Sequence, residues 1–156
     1  MKTERSHSTL HPWLSFFLRS FTAAVTAAYG LLVGYWMFVG FGRSGQSHDG
    51  TLRYNLKPLA TIKRYFIHHD HFNMELLLIN IGGNIAVFIP FGFAIPIIFK
   101  WGYWRTILFF IIGITLVELL QMGSGRGSFD IDDVILNTVG ASIGCWVYRT
   151  VKGMFA

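Results

Sequence analysis

The sequence predicts an all-α integral membrane protein with four transmembrane helices and an amphipathic extracytoplasmic loop between the first and second. Its composition is 53% hydrophobic and only 13% charged, whereas soluble domains carry about 25% charged residues. The mean hydropathy is +0.47. Four apolar runs also approach the roughly 20 residues that cross a bilayer core. A chain of 156 residues is the length of one domain, so a single membrane-embedded bundle is expected.

The four spans are expected at about residues 20–41, 76–99, 106–122 and 131–151. The fourth is the weakest because its first turn is acidic, and the alternative is three spans plus a buried helix. Residues 1–19 form a separate N-terminal cytoplasmic or interfacial segment. Its stretch "LHPWLSFFLRS" is typical of an interfacial helix or of the lower end of the first span. The first run is too long for a cleavable signal peptide.

The loop between the first two spans is long for so small a chain. Within it, Leu56, Leu59 and Ile62 recur at helical spacing beside Lys57 and Lys63. A segment with this pattern lies on the membrane surface or folds back over the bundle.

The distribution of basic residues bears on orientation. Four spans place both termini on one side, and a cytoplasmic N-terminus puts seven Lys and Arg inside against six outside. Basic loops favour the cytoplasmic side, so the small excess favours cytoplasmic termini. The 13 basic residues are scattered between apolar runs, which suits anionic lipid headgroups rather than nucleic acid.

Polar side chains from three separate spans are expected at one depth. Chain direction places each group one or two turns from the same membrane surface. Because polar groups in lipid are costly, their coincidence indicates a polar pocket. Its expected members are Asn80, Asn84, Glu118, Gln121, Arg126, Asp130, Asp133 and Asn137.

Helical spacing assigns roles within this group. Asp130, Asp133 and Asn137 continue one stripe of the fourth span, so Asp133 is expected to be the deepest acid, with Arg126 and Glu118 as its partners. Asp132 lies about 100° round the helix and is expected to tolerate asparagine. Asn137 is expected to bond Glu118 or Asn84, and Asp130 to cap the helix. Below them, Gly140 and Gly144 allow close helix approach.

The pocket has three interpretations. It is a network that locks the third span to the fourth, a site for a zwitterionic or cationic headgroup, or a catalytic site. In the catalytic case Glu118 or Asp133 is the general base and Arg126 holds phosphate. The glycine-rich turn at 123–127 can also cradle phosphate. "HHDH" at 68–71 lacks spaced partner ligands, so no metal or other cofactor is expected, and Cys145 is expected in the core.

Several motifs in order resemble the VanZ-like membrane proteins. These are "NLKPLATI" at 55–62, the Asn80 and Asn84 pair followed by "FIPFG" at 88–92, "ExxQ" at 118–121, "RxxxxxDD" at 126–133 and "NTxGxxxG" at 137–144. Leu59 stands where phenylalanine is usual. The resemblance implies a multi-pass protein of the bacterial plasma membrane near cell-envelope chemistry. The family's eponymous member is associated with resistance to the lipoglycopeptide teicoplanin.

The expected function is non-catalytic. The protein would bind or shield a membrane lipid, a lipid-linked envelope precursor or a lipoglycopeptide at the outer leaflet. The alternatives are an intramembrane enzyme acting on a lipid headgroup, and a small proton-coupled transporter with Glu118 as proton carrier.

Overall fold

The computed structural model describes residues 11–40, 52–67 and 74–154. The elements follow in the order α1 (Pro12–Phe38), β1 (Tyr54–Asn55), α2 (Ala60–Ile67), α3 (Met74–Phe99), α4 (Tyr103–Gly123), β2 (Phe129–Asp130) and α5 (Ile131–Met154).

Within the described residues, three helices are long and apolar enough to cross a membrane, namely Pro12–Phe38, Leu78–Phe99 and Tyr103–Gly123. The expectation of a membrane protein built from helices is confirmed at this level. α5 is a fourth long helix of 24 residues, but acids in its first turn and bases near its end make it more polar. The first helix begins at Pro12 rather than near residue 20, since proline suits the first helical turn. The stretch containing Trp13 and Arg19 is therefore continuous with the first apolar run.

α3 is the centre of the bundle and packs most extensively against α5. The two helices run parallel, since Ile85 contacts Gly140, Ile89 contacts Gly144 and Phe93 stacks edge-on against Tyr148.

Glycines bring α3 and α5 together. A Cβ on Gly140 would lie 2.1 Å from the carbonyl oxygen of Ile85, and one on Gly144 would lie 2.0 Å from that of Ile89. Gly92 of α3 faces the Ala141 carbonyl in the same way, at 1.8 Å. The expected close approach at Gly140 and Gly144 is confirmed. Gly34 of α1 has nothing within 4 Å, so it serves no such contact.

α1 runs antiparallel to α3. The Tyr29 hydroxyl donates to the Val87 carbonyl at 3.0 Å, and Arg19 donates to the Ile98 carbonyl near the other end of α3. The ends of α1 and α4 therefore lie together with the starts of α3 and α5. We call this the polar end, because it holds Asn84, Gln121, Asp130, Asp132 and Asp133. We call the opposite end, which holds Arg19, Lys100, Arg149 and Lys152, the basic end.

Candidate functional site

The polar end joins the elements that chain direction assigns to one depth. The Asn84 amide of α3 donates to Asp133 Oδ1 of α5 at 2.9 Å. Gln121 of α4 donates from Nε2 to the Met37 carbonyl of α1 at 2.7 Å. The first of these hydrogen bonds links α3 to α5, and the second links α4 to α1.

Asp132 is the buried acid of this end, with 0% of its surface exposed. Its carboxylate accepts the backbone N–H of Leu59, that of Thr61 at 2.7 Å and that of Ile62 at 3.2 Å. These are free N–H groups of the first turn of α2, so a carboxylate some seventy residues away in the chain caps that helix. The expectation that Asp133 is the buried acid is wrong, whereas the expectation that Asp132 tolerates asparagine stays a prediction that these contacts disfavour. Asp133 is only partly buried.

Asp130 fixes the same segment from a second side. Its Oδ2 accepts the Thr61 hydroxyl at 2.6 Å, and its Oδ1 accepts the Asn55 amide at 3.2 Å. Oδ1 also accepts the backbone N–H of Asp132 at 2.9 Å, which caps the start of α5 as expected. Next to it, β1 pairs in parallel with β2, with Tyr54 opposite Phe129.

Leu59 lies at the bend that brings these N–H groups round Asp132. Its φ is 62°, in the left-handed region that side chains other than glycine's seldom adopt. The Asn55 side chain supports the preceding turn by accepting the Lys57 N–H at 3.1 Å. Hydrogen bonds donated to both aspartates therefore hold a strained turn of the 52–67 segment on α5. The two acids thus lock this segment to α5, a contact that the sequence did not predict.

The predicted residues of α3 and α4 differ in their environments. Glu118 and Gln121 are each 3% exposed, so both side chains face the interior as expected. Asn84 is partly buried, whereas Asn80, one turn earlier in α3, is exposed. The structure thus brings Asn84, Gln121 and Glu118 into the bundle and leaves Asn80 at its surface.

Asn137 is 1% exposed, and its Oδ1 accepts no hydrogen bond from any residue in the described part of the chain. The Asn84 amide, expected as a partner, donates to Asp133 instead. Asn137 is thus buried as expected but does not accept the expected hydrogen bond. A buried unsatisfied acceptor costs about 1–3 kcal/mol.

Arg126 is exposed and donates from Nη1 to the Phe38 carbonyl at 3.3 Å. Among the described residues its guanidinium bonds this carbonyl rather than the expected carboxylates. The preceding turn ends α4 with Gly125 at φ 69°. The N–H groups of Gly125 and Arg126 donate to the carbonyls of Met122 and Gln121, as in a Schellman motif. A phosphate cradle in this turn is therefore disfavoured, because the N–H groups of Ser124, Gly125 and Arg126 already donate to carbonyls of α4.

At the polar end, the acidic side chains lie deeper than the basic ones. The described carboxylates of this end are buried or partly buried, whereas its described basic side chains are exposed. These basic side chains are Arg53, Lys57, Lys63 and Arg126. Exposed Leu52, Tyr54, Leu56 and Leu59 lie on the same segment. The polar end therefore presents cations and apolar side chains outward.

Sequence reasoning missed Asn55, Thr61 and Asp132 as members of this site. The sequence did contain one indication of a further role for these acids. Capping α5 requires one aspartate, whereas Asp130, Asp132 and Asp133 all lie at its start. The "HHDH" stretch at 68–71 lies outside the described residues. Cys145 is fully buried in the core, as expected.

Comparison with known proteins identifies the family of this chain. The protein VanZ of Enterococcus faecium is 36% identical over 66 residues, which are 42% of this chain and 41% of that protein. The match thus spans about two fifths of that relative's length. No solved structure matches the chain. The VanZ/LLP1 family model matches residues 21–152, and the chain belongs to this family.

Proposed function

We propose that the protein spans the bacterial plasma membrane four times, with cytoplasmic termini and the polar end at the outer leaflet. There it binds an envelope lipid or lipid-linked precursor without catalysis. α5 supplies the fourth span. Its 24 residues extend about 36 Å, and it contacts α3 from Asp133 to Tyr148.

The observation that carries this proposal is the outward surface of the 52–67 segment. Lys57 and Lys63 are exposed beside exposed Leu56 and Leu59. Such a surface suits the membrane interface, where apolar side chains enter the acyl region and bases meet phosphate. The ligand class is accordingly an anionic amphiphile, such as a polyprenyl pyrophosphate carrier. This replaces the zwitterionic or cationic headgroup expected from the acids, because those acids face inward.

Two acids of the polar end, Asp130 and Asp132, are unsuited to act as general base, so a catalytic role would fall to Glu118 or Asp133. Asp130 and Asp132 are engaged by backbone N–H groups and by Asn55 and Thr61. A general base needs a lone pair within reach of its substrate, and either acid would have to release the 52–67 segment to provide one.

Family membership supports a second ligand of the same amphiphilic character, a lipoglycopeptide such as teicoplanin. Expression of the chain in a susceptible Gram-positive host should then raise the teicoplanin concentration needed to inhibit growth. Unchanged susceptibility at confirmed membrane expression would remove this ligand and leave the lipid proposal to be tested separately.

Titration of the purified full chain in neutral detergent with a short-chain polyprenyl pyrophosphate tests the lipid proposal. Each base near an anionic surface contributes about 1 kcal/mol. The double variant Lys57→Gln and Lys63→Gln should therefore bind about 30-fold more weakly. The charge-preserving Lys57→Arg and Lys63→Arg variant is the matched control and should bind like the parent. Equal affinities for all three proteins would refute binding by this surface.

A further inference from the structure

A cavity of about 800 Å³ lies at the basic end, remote from the site described above. It opens between the first turns of α1, the last turn of α3 with the turn that follows, and the last turns of α5. Its volume is within the range of about 300–1,000 Å³ usual for small-molecule sites.

The cavity is lined by four cations, Arg19, Lys100, Arg149 and Lys152, and by no acidic residue among those described. Glu118 and the three aspartates of α5 and its N-cap belong to the opposite end of the bundle. Arg19 is held in place, because its Nε and Nη2 both donate to the Ile98 carbonyl, at 3.0 and 2.7 Å. Four cations with no carboxylate beside them in the described part of the chain suit an anion of more than one negative oxygen.

The backbone at Lys100 supports a role for its charge. Lys100 follows the last residue of α3 and has a φ of 56°. Glycine is the usual residue in this conformation after a helix, and a lysine there costs about 1–2 kcal/mol. Strain of this kind concentrates at functional sites. Lys100 therefore adds an ammonium group to the cavity wall at a position where the backbone conformation favours glycine.

The remaining wall indicates where the anion comes from. Leu18, Pro96 and Ile97 line the cavity on the side of the apolar helices, and Trp101 and Tyr148 line it as well. Trp13 and Trp104 are exposed at the same end. Tryptophan and tyrosine concentrate at the headgroup level of membranes, so the cavity lies where lipid phosphates lie.

We propose that this cavity binds the phosphate headgroup of an anionic phospholipid from the adjacent leaflet. The four cations contact the phosphate oxygens, and the acyl chains leave along the wall formed by Leu18, Pro96 and Ile97. Basic pockets between transmembrane helices bind anionic headgroups in this way. The site is independent of the polar end and of the direction in which the chain crosses the membrane.

The competing explanation is structural, because bases near helix C-termini also stabilise the helix dipole. Lys100→Gly separates the two roles. It removes a cavity cation while relieving the left-handed strain, so it should melt no lower than the parent and still bind lipid more weakly.

The test uses the purified full chain in neutral detergent, with dihexanoyl phosphatidylglycerol, dihexanoyl phosphatidylcholine and inorganic phosphate as probes in isothermal titration. Phosphatidylglycerol should bind at least about tenfold more tightly than either other probe, since only it combines net charge with acyl chains. Lys100→Gly and Lys152→Gln should each weaken its binding about fivefold, and together about 30-fold.

Arg105→Gln is the matched control. Arg105 is an exposed cation in the first turn of α4 at the same end, but it does not line the cavity. Its removal should change the affinity by less than about twofold. If Arg105→Gln lost as much affinity for phosphatidylglycerol as Lys100→Gly or Lys152→Gln, the effect would be one of general surface charge, and the proposal would be overturned. Equal binding of phosphatidylcholine would also overturn it, and so would displacement of phosphatidylglycerol by inorganic phosphate at similar concentration.

Discussion

Replacement of Asp132 by asparagine removes the charge at the centre of the polar end while nearly preserving the side-chain volume. In the parent, both carboxylate oxygens accept backbone N–H groups from the turn that begins α2. Asparagine keeps one oxygen and places an NH₂ group where the other oxygen stood. On one side of the turn, the new NH₂ group then faces a backbone N–H group, and neither can accept a hydrogen bond from the other.

The expected cost follows from the three hydrogen bonds. A hydrogen bond to a charged group contributes about 1.5–3 kcal/mol, roughly twice a neutral one. The variant loses at least the bond to Leu59, or those to Thr61 and Ile62, and weakens what remains. We expect about 3 kcal/mol, which is about a 100-fold change in the equilibrium that docks the 52–67 segment on α5. Detachment exposes the N–H groups to water, so the loss is local and the bundle stays folded.

Amide hydrogen exchange of the full chain in detergent measures this effect directly. Protection at Leu59, Thr61 and Ile62 should fall about 100-fold. Protection in the α3–α5 contact should stay within about threefold of the parent, because glycine packing there is untouched.

Asp133→Asn is the matched control, one residue away on the same helix. Its asparagine retains an oxygen that can accept the Asn84 amide, and the N–H groups of Leu59, Thr61 and Ile62 donate to Asp132 instead, so protection at Thr61 should fall less than in Asp132→Asn. Equal loss of protection at Thr61 in the two variants would refute the assignment of Asp132 as the α2 cap. Unchanged exchange in Asp132→Asn would refute it as well.

Three further outcomes are expected. Gly140→Ala should lower stability in detergent by about 2–3 kcal/mol, since its Cβ would overlap the Ile85 carbonyl. Gly82→Ala, where an added Cβ meets open space, should be neutral or stabilising in the same thermal melt. Asn137→Leu should leave the melting temperature unchanged or raise it, because it removes a buried acceptor oxygen that has no partner among the described residues. A marked fall in melting temperature would refute this reasoning. Ser128→Cys, at an exposed position, should react with an impermeant thiol reagent in intact cells if the polar end faces outward, and labelling only after lysis would reverse the proposed orientation.

The sequence alone predicted the membrane helices and the end at which their polar residues meet. Apolar runs of sufficient length can be recognised without tertiary information, because the bilayer thickness sets how long they must be. Alternating chain direction then places Asn84, Gln121 and Asp133 at one end. The spacing of Gly140 and Gly144 indicated a close helix contact for the same reason, since residues four apart share a helix face.

The tertiary structure decided which acid is buried and what it binds. Helical spacing ranks residues by the face that they present to neighbouring helices, and on that basis Asp133 was expected to be deeper than Asp132. The first turn of α5 is also covered from another side, by a segment whose N–H groups come from about seventy residues earlier in the chain. The periodicity of α5 contains no information about that partner. Burial of a charge depends on where its hydrogen-bond donors lie in space, and only the folded chain brings Leu59, Thr61 and Ile62 to Asp132.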